Sequence, residues 1–304
     1  MKKEYTMGKQ LSVILMSGLL LTTACSHRNK EEDDKRPVEV LYNEALTTLK
    51  KEKFRKAIEG FENVERNYPY SKWATNAQLM TAYAQYQDEQ YDDAIIALER
   101  FIKLHPGHAD AAYAYYLKVL CYYERISTIN RDQSFTEQSE KALKELIARF
   151  PESDYARDAA IKLDLVMDHL AGKEVEVGRF YLKNGQYISA INRFQKVLAN
   201  YQTTSHVPEA LHRLVESYTA LGIPSEAQRY AAVLGHNYPG STWYRYSYAL
   251  VGGQEAPQAN PSATDVQKPT SESWFKIPFL SHKKRTLAPP PGSVGTQGTP
   301  AKGK

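Results

Sequence analysis

The chain has 304 residues, a formal charge of +4 and 42% hydrophobic residues, which is enough apolar content for a substantial core. Its two cysteines, Cys25 and Cys121, exclude a disulfide framework. Lysines and arginines alternate with acids, as at 31–36 and 137–144, so the concentrated basic face of a nucleic-acid binder is missing and no nucleic-acid partner is expected.

The first predicted element is an address. Lys2, Lys3 and Lys9 precede an apolar run at 11–21, and Thr22-Thr23-Ala24 leads into Cys25. A basic start, a short apolar centre and small residues before a cleavage point form a secretory signal, here residues 1–24. The apolar run is too short to span a bilayer, which takes about 20 residues as helix. The small residues before Cys25 resemble the lipobox of bacterial lipoproteins, which implies a covalent lipid on Cys25; no other cofactor is expected. Leu21 stands one place further from the cysteine than the usual lipobox leucine, and Thr22 takes that place. Several acyl chains on one residue anchor stably where a single chain is marginal. Ser26, in place of an inner-membrane retention aspartate, points to the outer membrane. Residues 25–37 are polar and charged and read as a flexible tether.

The body, 38–250, is dominated by an internal repeat. Five segments align, starting at Ala57, Ala94, Ser139, Ala190 and Ala227. Seven residues on stands an apolar residue: Val64, Phe101, Leu146, Val197 and Leu234. Eleven on stands a ring, at Tyr68, His105, Phe150, Tyr201 and Tyr238, followed by proline in every segment except at Gln202. Positions 0, 4, 7 and 11 share one helix face, and proline stops the helix. A second periodic helix precedes each segment, with Phe54, Tyr91 and Tyr187 three before the small residue.

Helix, turn, helix and proline is the tetratricopeptide pattern. The predicted fold is therefore all-α, a right-handed superhelical solenoid of five helical hairpins at roughly 38–71, 74–108, 111–153, 156–204 and 207–241. The proline-equivalent positions are separated by 37, 45, 51 and 37 residues, against a standard period of about 34. Insertions are therefore expected at 121–138 and in a long helix over 160–180. Each hairpin exposes an apolar face that only its neighbour can cover, so the units stack and present a concave binding surface.

Several features together resemble the BamD family of outer-membrane assembly lipoproteins over about residues 15–250. They are the lipobox, the irregular central pair of repeats, HPGHADAAYAYYLKVLCYY (105–123), Arg131-Asp132-Gln133, FPESDYARDA (150–159), DHLAGKEVEVGRFYL (168–182) and YQTTSHVPEALHRLVESYTALG (201–222). The resemblance implies a lipid-anchored protein on the periplasmic side of the outer membrane. It would join a β-barrel assembly protein with POTRA domains and other small assembly lipoproteins, and would handle unfolded outer-membrane β-barrel clients. It also implies that the amino-terminal repeats receive the client and the carboxy-terminal repeats dock on a POTRA domain. By position, Arg193, with its neighbour Asn192, would make the POTRA contact. A pilotin-type tetratricopeptide lipoprotein serving a secretion or pilus system is the alternative; it would share the anchor and the repeats but not the irregular middle.

Candidate contacts follow. Tyr83, Tyr86, Tyr113 and Tyr116 belong to an unusually aromatic stretch that suits a groove for aromatic, apolar client segments; the rival reading packs these rings between hairpins. Arg131 and Asp132 either touch a partner or form a salt bridge that pins the insertion to the long helix. Arg193 either meets a partner or pairs with an acid on its own solenoid. The histidines lack metal-ligand spacing, and HExxH, GxSxG and GxxxxGK are absent, so no catalytic or metal residue is nominated.

The predicted tail, 251–304, is rich in Pro, Ser, Thr, Gly and Gln and is expected to be disordered. Its apolar interruption, SWFKIPFLSHKKR (273–285), joins aromatic to basic residues and suits lipid headgroups or a partner groove. The other reading leaves it as a solvent-exposed remnant.

Overall fold

The computed structural model describes residues 36–252 and 287–291. Cys25, the signal segment and SWFKIPFLSHKKR lie outside the described residues. The order is α1 (Val38–Lys50), α2 (Phe54–Asn67), α3 (Lys72–Gln87), α4 (Tyr91–Leu104), α5 (Ala111–Tyr123), α6 (Ser134–Arg149), α7 (Asp154–Lys183), α8 (Tyr187–Asn200), α9 (Val207–Ala220), α10 (Pro224–Asn237) and α11 (Thr242–Leu250). No strand occurs among the described residues.

Odd-numbered helices are the first arms of the hairpins and even-numbered helices the second arms. Each helix packs on its successor, and each first arm from α1 to α9 also touches the next first arm. The first arms therefore form one continuous layer, and the second arms cover it from outside. The repeat positions explain this. The small residues Ala57, Ala94, Ser139, Ala190 and Ala227 are at most 1% exposed, and Phe61, Leu98, Leu143, Phe194 and the five apolar residues at position 7 are fully buried. The ring at position 11 sits just past each second arm, and its N–H donates to the carbonyl of the residue at position 7. After three of these breaks a serine caps the next first arm: Ser71, Ser153 and Ser241 accept from Ala74, Ala156 and Trp243 N–H.

Four hairpins turn in the same way. Glu52, Glu89, Gly185 and Gly222 take φ between 57° and 72°, each two residues before its second arm begins. The next N–H bonds back five residues, Gln90 to the Gln85 carbonyl at 2.9 Å and Gln186 to Tyr181 at 2.9 Å. The third hairpin lacks this turn, because the insertion between α5 and α6 replaces it. The second irregularity is α7, whose 30 residues make a helix about 45 Å long. Its Gly178 lies so close to α8 that an added Cβ would fall 2.4 Å from the Phe194 ring.

Two findings differ from the sequence expectation. A further first-arm helix, α11, follows the fifth hairpin and packs on α9 and α10, where Ser247 meets His212 Nδ1 at 2.8 Å in a buried contact. It covers the apolar end that the last hairpin would otherwise leave open. The tail is also not wholly without structure: Leu287–Pro291 lies against the solenoid, because Leu287 packs on both main core clusters and Pro290 is buried. Consecutive prolines have little freedom to lose on ordering.

The turns make a paired prediction. Gly185→Ala should cost about 1–2 kcal/mol, because alanine is strained at φ 71°. Glu89→Gly should stabilise by up to about 1 kcal/mol as the same strain is removed, less the added freedom of the unfolded chain. Urea unfolding of the two variants against the parent chain tests this, and the reverse order of stabilities would refute it.

Candidate protein-binding surfaces

The first arms α3, α5 and α7 bring tyrosines together on the inner layer. Tyr83 and Tyr86 come from α3, Tyr113 and Tyr116 from α5, and Tyr155 from the start of α7. Tyr155 meets Tyr113 edge-on at 5.8 Å between ring centres and stacks on Tyr116 at 5.2 Å. Tyr86 leans on Tyr91 of α4 at 5.9 Å. The Tyr116 hydroxyl donates to Asp158 at 2.6 Å, so this ring is committed to a structural bond. Burial raises the pKa of Tyr83, Tyr86 and Tyr113 above the ordinary tyrosine value, so all three hydroxyls stay protonated and can donate. The four nominated tyrosines therefore share one region: the rings pack between hairpins, while the Tyr83 and Tyr113 hydroxyls point at a segment of the tail.

That segment is Leu287–Pro291. The Tyr83 hydroxyl donates to the Leu287 carbonyl at 2.6 Å, and the Tyr113 hydroxyl to the Ala288 carbonyl at 3.0 Å. Gln87 Nε2 donates to the Tyr83 oxygen at 3.0 Å, which leaves the hydroxyl proton for the carbonyl. Tyr155 and Gln87 escaped the sequence reading. Tyr155 lies inside FPESDYARDA, but nothing in the sequence told which face it would take.

A second surface lies on the fourth hairpin. Tyr181, Ser189, Asn192, Arg193 and Lys196 line an open cleft of about 320 Å³. Arg193 Nη1 donates to Glu174 at 3.1 Å, and Lys196 Nζ donates to the other oxygen of the same carboxylate at 2.5 Å. Arg193 thus has the acidic neighbour on its own solenoid that the rival reading named. Two cations on one acid still leave one positive charge in excess. Asn192 is exposed, and in the same hairpin Phe180 and Ile188 are 63% and 67% exposed.

Arg131 and Asp132 are both exposed in the insertion, and among the described residues neither forms an ion pair. A salt bridge therefore does not pin the loop. Asp132 accepts from Ser134 N–H and hydroxyl at the start of α6. Gln133 Nε2 donates to the Thr128 and Arg131 carbonyls, and His169 of the long helix bonds the Ser127 backbone. Burial holds His169 below the usual histidine pKa, so this anchor is neutral. Neutral bonds suffice here because the loop packs Ile126 into the core, where a charge would be costly. Cys121 is likewise buried, and burial pushes its thiol pKa up, as for a small apolar core residue.

The family profile described as YfiO, outer membrane lipoprotein, matches residues 34–234. The chain is 45% identical to the outer membrane protein assembly factor BamD of Caulobacter vibrioides, over 84% of this chain and 83% of the relative. It is 48% identical to BamD of Rickettsia prowazekii, over 80% of this chain and 96% of the relative. It is 36% identical to BamD of Neisseria meningitidis serogroup A, over 79% and 95%. The chain belongs to the BamD family. It is a component of outer membrane protein assembly. The YfiO profile spans the four tyrosines and the Arg193 cleft but ends before α11 and before Leu287–Pro291. No helix among the described residues is long and apolar enough to cross a membrane, and no group of three potential metal ligands occurs there.

Charged contacts bind the last two hairpins of this BamD-family solenoid. Arg179 on α7 pairs with the buried Glu209 on α9, and Arg213 bridges Glu209 and Glu216 while lying 5.3 Å from the Trp243 ring of α11. Burial works against ionisation of Glu216, but His212 and Arg213 outweigh it and hold its pKa below the usual carboxylate range. Burial likewise opposes ionisation of Asp168, where bonds from His206 and Ser205 outweigh it. Depressed carboxylates stabilise the fold above their unfolded pKa near 4, and that stability is lost as the pH falls through their folded values. Melting temperature should therefore fall steeply below about pH 4, and Glu216→Gln should flatten that slope. An unchanged slope in thermal melts from pH 5 to pH 2 would contradict the assignment.

Proposed function

We propose that this protein is a lipid-anchored, non-catalytic adaptor in outer membrane β-barrel assembly. Its amino-terminal hairpins receive extended segments of unfolded client barrels in the tyrosine groove. Its carboxy-terminal hairpins dock a POTRA domain of the barrel protein at Asn192 and Arg193, and other small assembly lipoproteins complete the complex. A lipid on Cys25 holds it to the periplasmic side of the outer membrane.

The observation that carries this reading is the groove. It meets main-chain carbonyls with tyrosine hydroxyls and seats Leu287 on the core clusters to which those rings belong, which is a way of holding extended chain with little demand on its sequence. An unfolded barrel strand offers both groups. The excess positive charge beside Asn192, with Phe180 and Ile188 in the same hairpin, supports docking of an acidic, partly apolar domain. The exposed guanidinium of Arg131 leaves the insertion open to a further contact.

Two expected outcomes test the proposal. Arg193→Glu should reduce copurification of the POTRA-bearing barrel protein about tenfold or more, with helical circular dichroism unchanged; full recovery of the partner would reject the docking site. Cys25→Ser should move the protein from the membrane fraction to the soluble periplasm. Continued membrane association of that variant would reject the anchor.

A further inference from the structure

We infer that Leu287–Pro291 is an intramolecular ligand of the tyrosine groove, and that it competes there with any extended segment arriving from another chain. That clients are the displacing segments rests on the function proposed above; the self-occupancy does not.

The contact is built from both sides. Tyr83 and Tyr113 each give one hydroxyl to successive carbonyls, those of Leu287 and Ala288. Gln87 fixes the Tyr83 hydroxyl by donating to its oxygen, and Tyr155 braces Tyr113 edge-on. Leu287 lies where the two main core clusters meet and packs on both, so it fills a site shared by neighbouring hairpins. Pro289, Pro290 and Pro291 follow. A proline has no N–H to leave unsatisfied, and the residue before a proline is driven to an extended conformation. Aromatic-lined grooves recognise such segments because little ordering entropy remains to be lost.

The groove asks its occupant for acceptors only. It supplies hydroxyl donors and an apolar seat, and among the described residues no contact uses the N–H of Leu287 or Ala288. An incoming segment therefore needs two free carbonyls and one apolar side chain at the place of Leu287. Residues 253–286 tether the tail segment to the end of α11. Covalent linkage makes the contact intramolecular, so the segment competes at an effective local concentration rather than at the bulk one. A weak contact then stays occupied by default, yet yields to a ligand with more apolar area.

The test uses the full chain and a fluorescein-labelled peptide of its own residues 284–294, KRTLAPPPGSV. In the opened variant, Leu287→Glu with Pro290→Glu, the peptide should bind at least tenfold more tightly than in the parent chain, at equal helical content. Equal affinity for both chains would overturn the inference. Adding Tyr83→Phe and Tyr113→Phe to the opened variant keeps both rings and removes both hydroxyls, and should weaken the peptide about tenfold. Unchanged binding would put the peptide elsewhere and also overturn it. An unlabelled peptide of alternating apolar and polar residues ending in phenylalanine then separates the two readings. Displacement of the labelled peptide supports client competition. No displacement, after the first two results have held, rejects the client groove and leaves the self-occupancy standing.

Discussion

A close approach, repeated five times, sets the geometry on which everything else depends. At the start of each second arm a fully enclosed Ala or Ser lets the first arm of the same hairpin come near. A larger residue four places on in four of the five, and seven places on in all five, then fills the space above it. With a side chain of leucine size at Ala94 or Ala190, the arms would separate and the buried Leu98 or Phe194 would lose its walls. Gly178 carries the same logic further, since there the Phe194 ring occupies the space of a Cβ. Each hairpin is stable because its neighbour covers it. The last hairpin therefore needs α11, and the first-arm layer runs unbroken from α1 to α11.

The proposed function uses that layer. Successive first arms carry Tyr83, Tyr113 and Tyr155 to one place although long stretches of chain separate them. Close packing holds the rings, and burial keeps the hydroxyls protonated, so the groove presents donors at fixed positions at any physiological pH. The α8 surface works by charge instead. Glu174 draws in Arg193 and Lys196 but cannot neutralise both, so the helix face keeps one positive charge in a hairpin that also exposes Phe180 and Ile188. An adaptor with one neutral aromatic site and one cationic site can engage two chemically different partners at once.

The irregular middle connects the two sites. The insertion after α5 removes the tight turn that the other hairpins share, and His169 on the long α7 holds the loop by a neutral bond. The same helix begins with Tyr155 at the groove and carries Glu174, which bonds Arg193 and Lys196, towards its other end. One continuous helix of 30 residues thus spans from the aromatic site to the charged one.

Much of this was legible in the order of residues. The repeat of small, apolar, ring and proline positions determined the hairpins, their faces and their ends, because those properties depend on local helix period and on the missing N–H of proline. The uneven spacing of the prolines located the insertion and the long helix for the same reason. The partners of individual side chains were not legible. Arg193 could have faced solvent or an acid, and only the crossing of α7 and α8 puts Glu174 beneath it. Asp132 could have been half of a salt bridge and instead accepts from Ser134 at the start of α6. The tail was expected to be disordered because its composition cannot build a core, yet Leu287 and Pro290 find a core already built. Sequence determines what a segment can bury by itself; which distant surface receives it depends on contacts across the stack, and those exist only once the chain has folded.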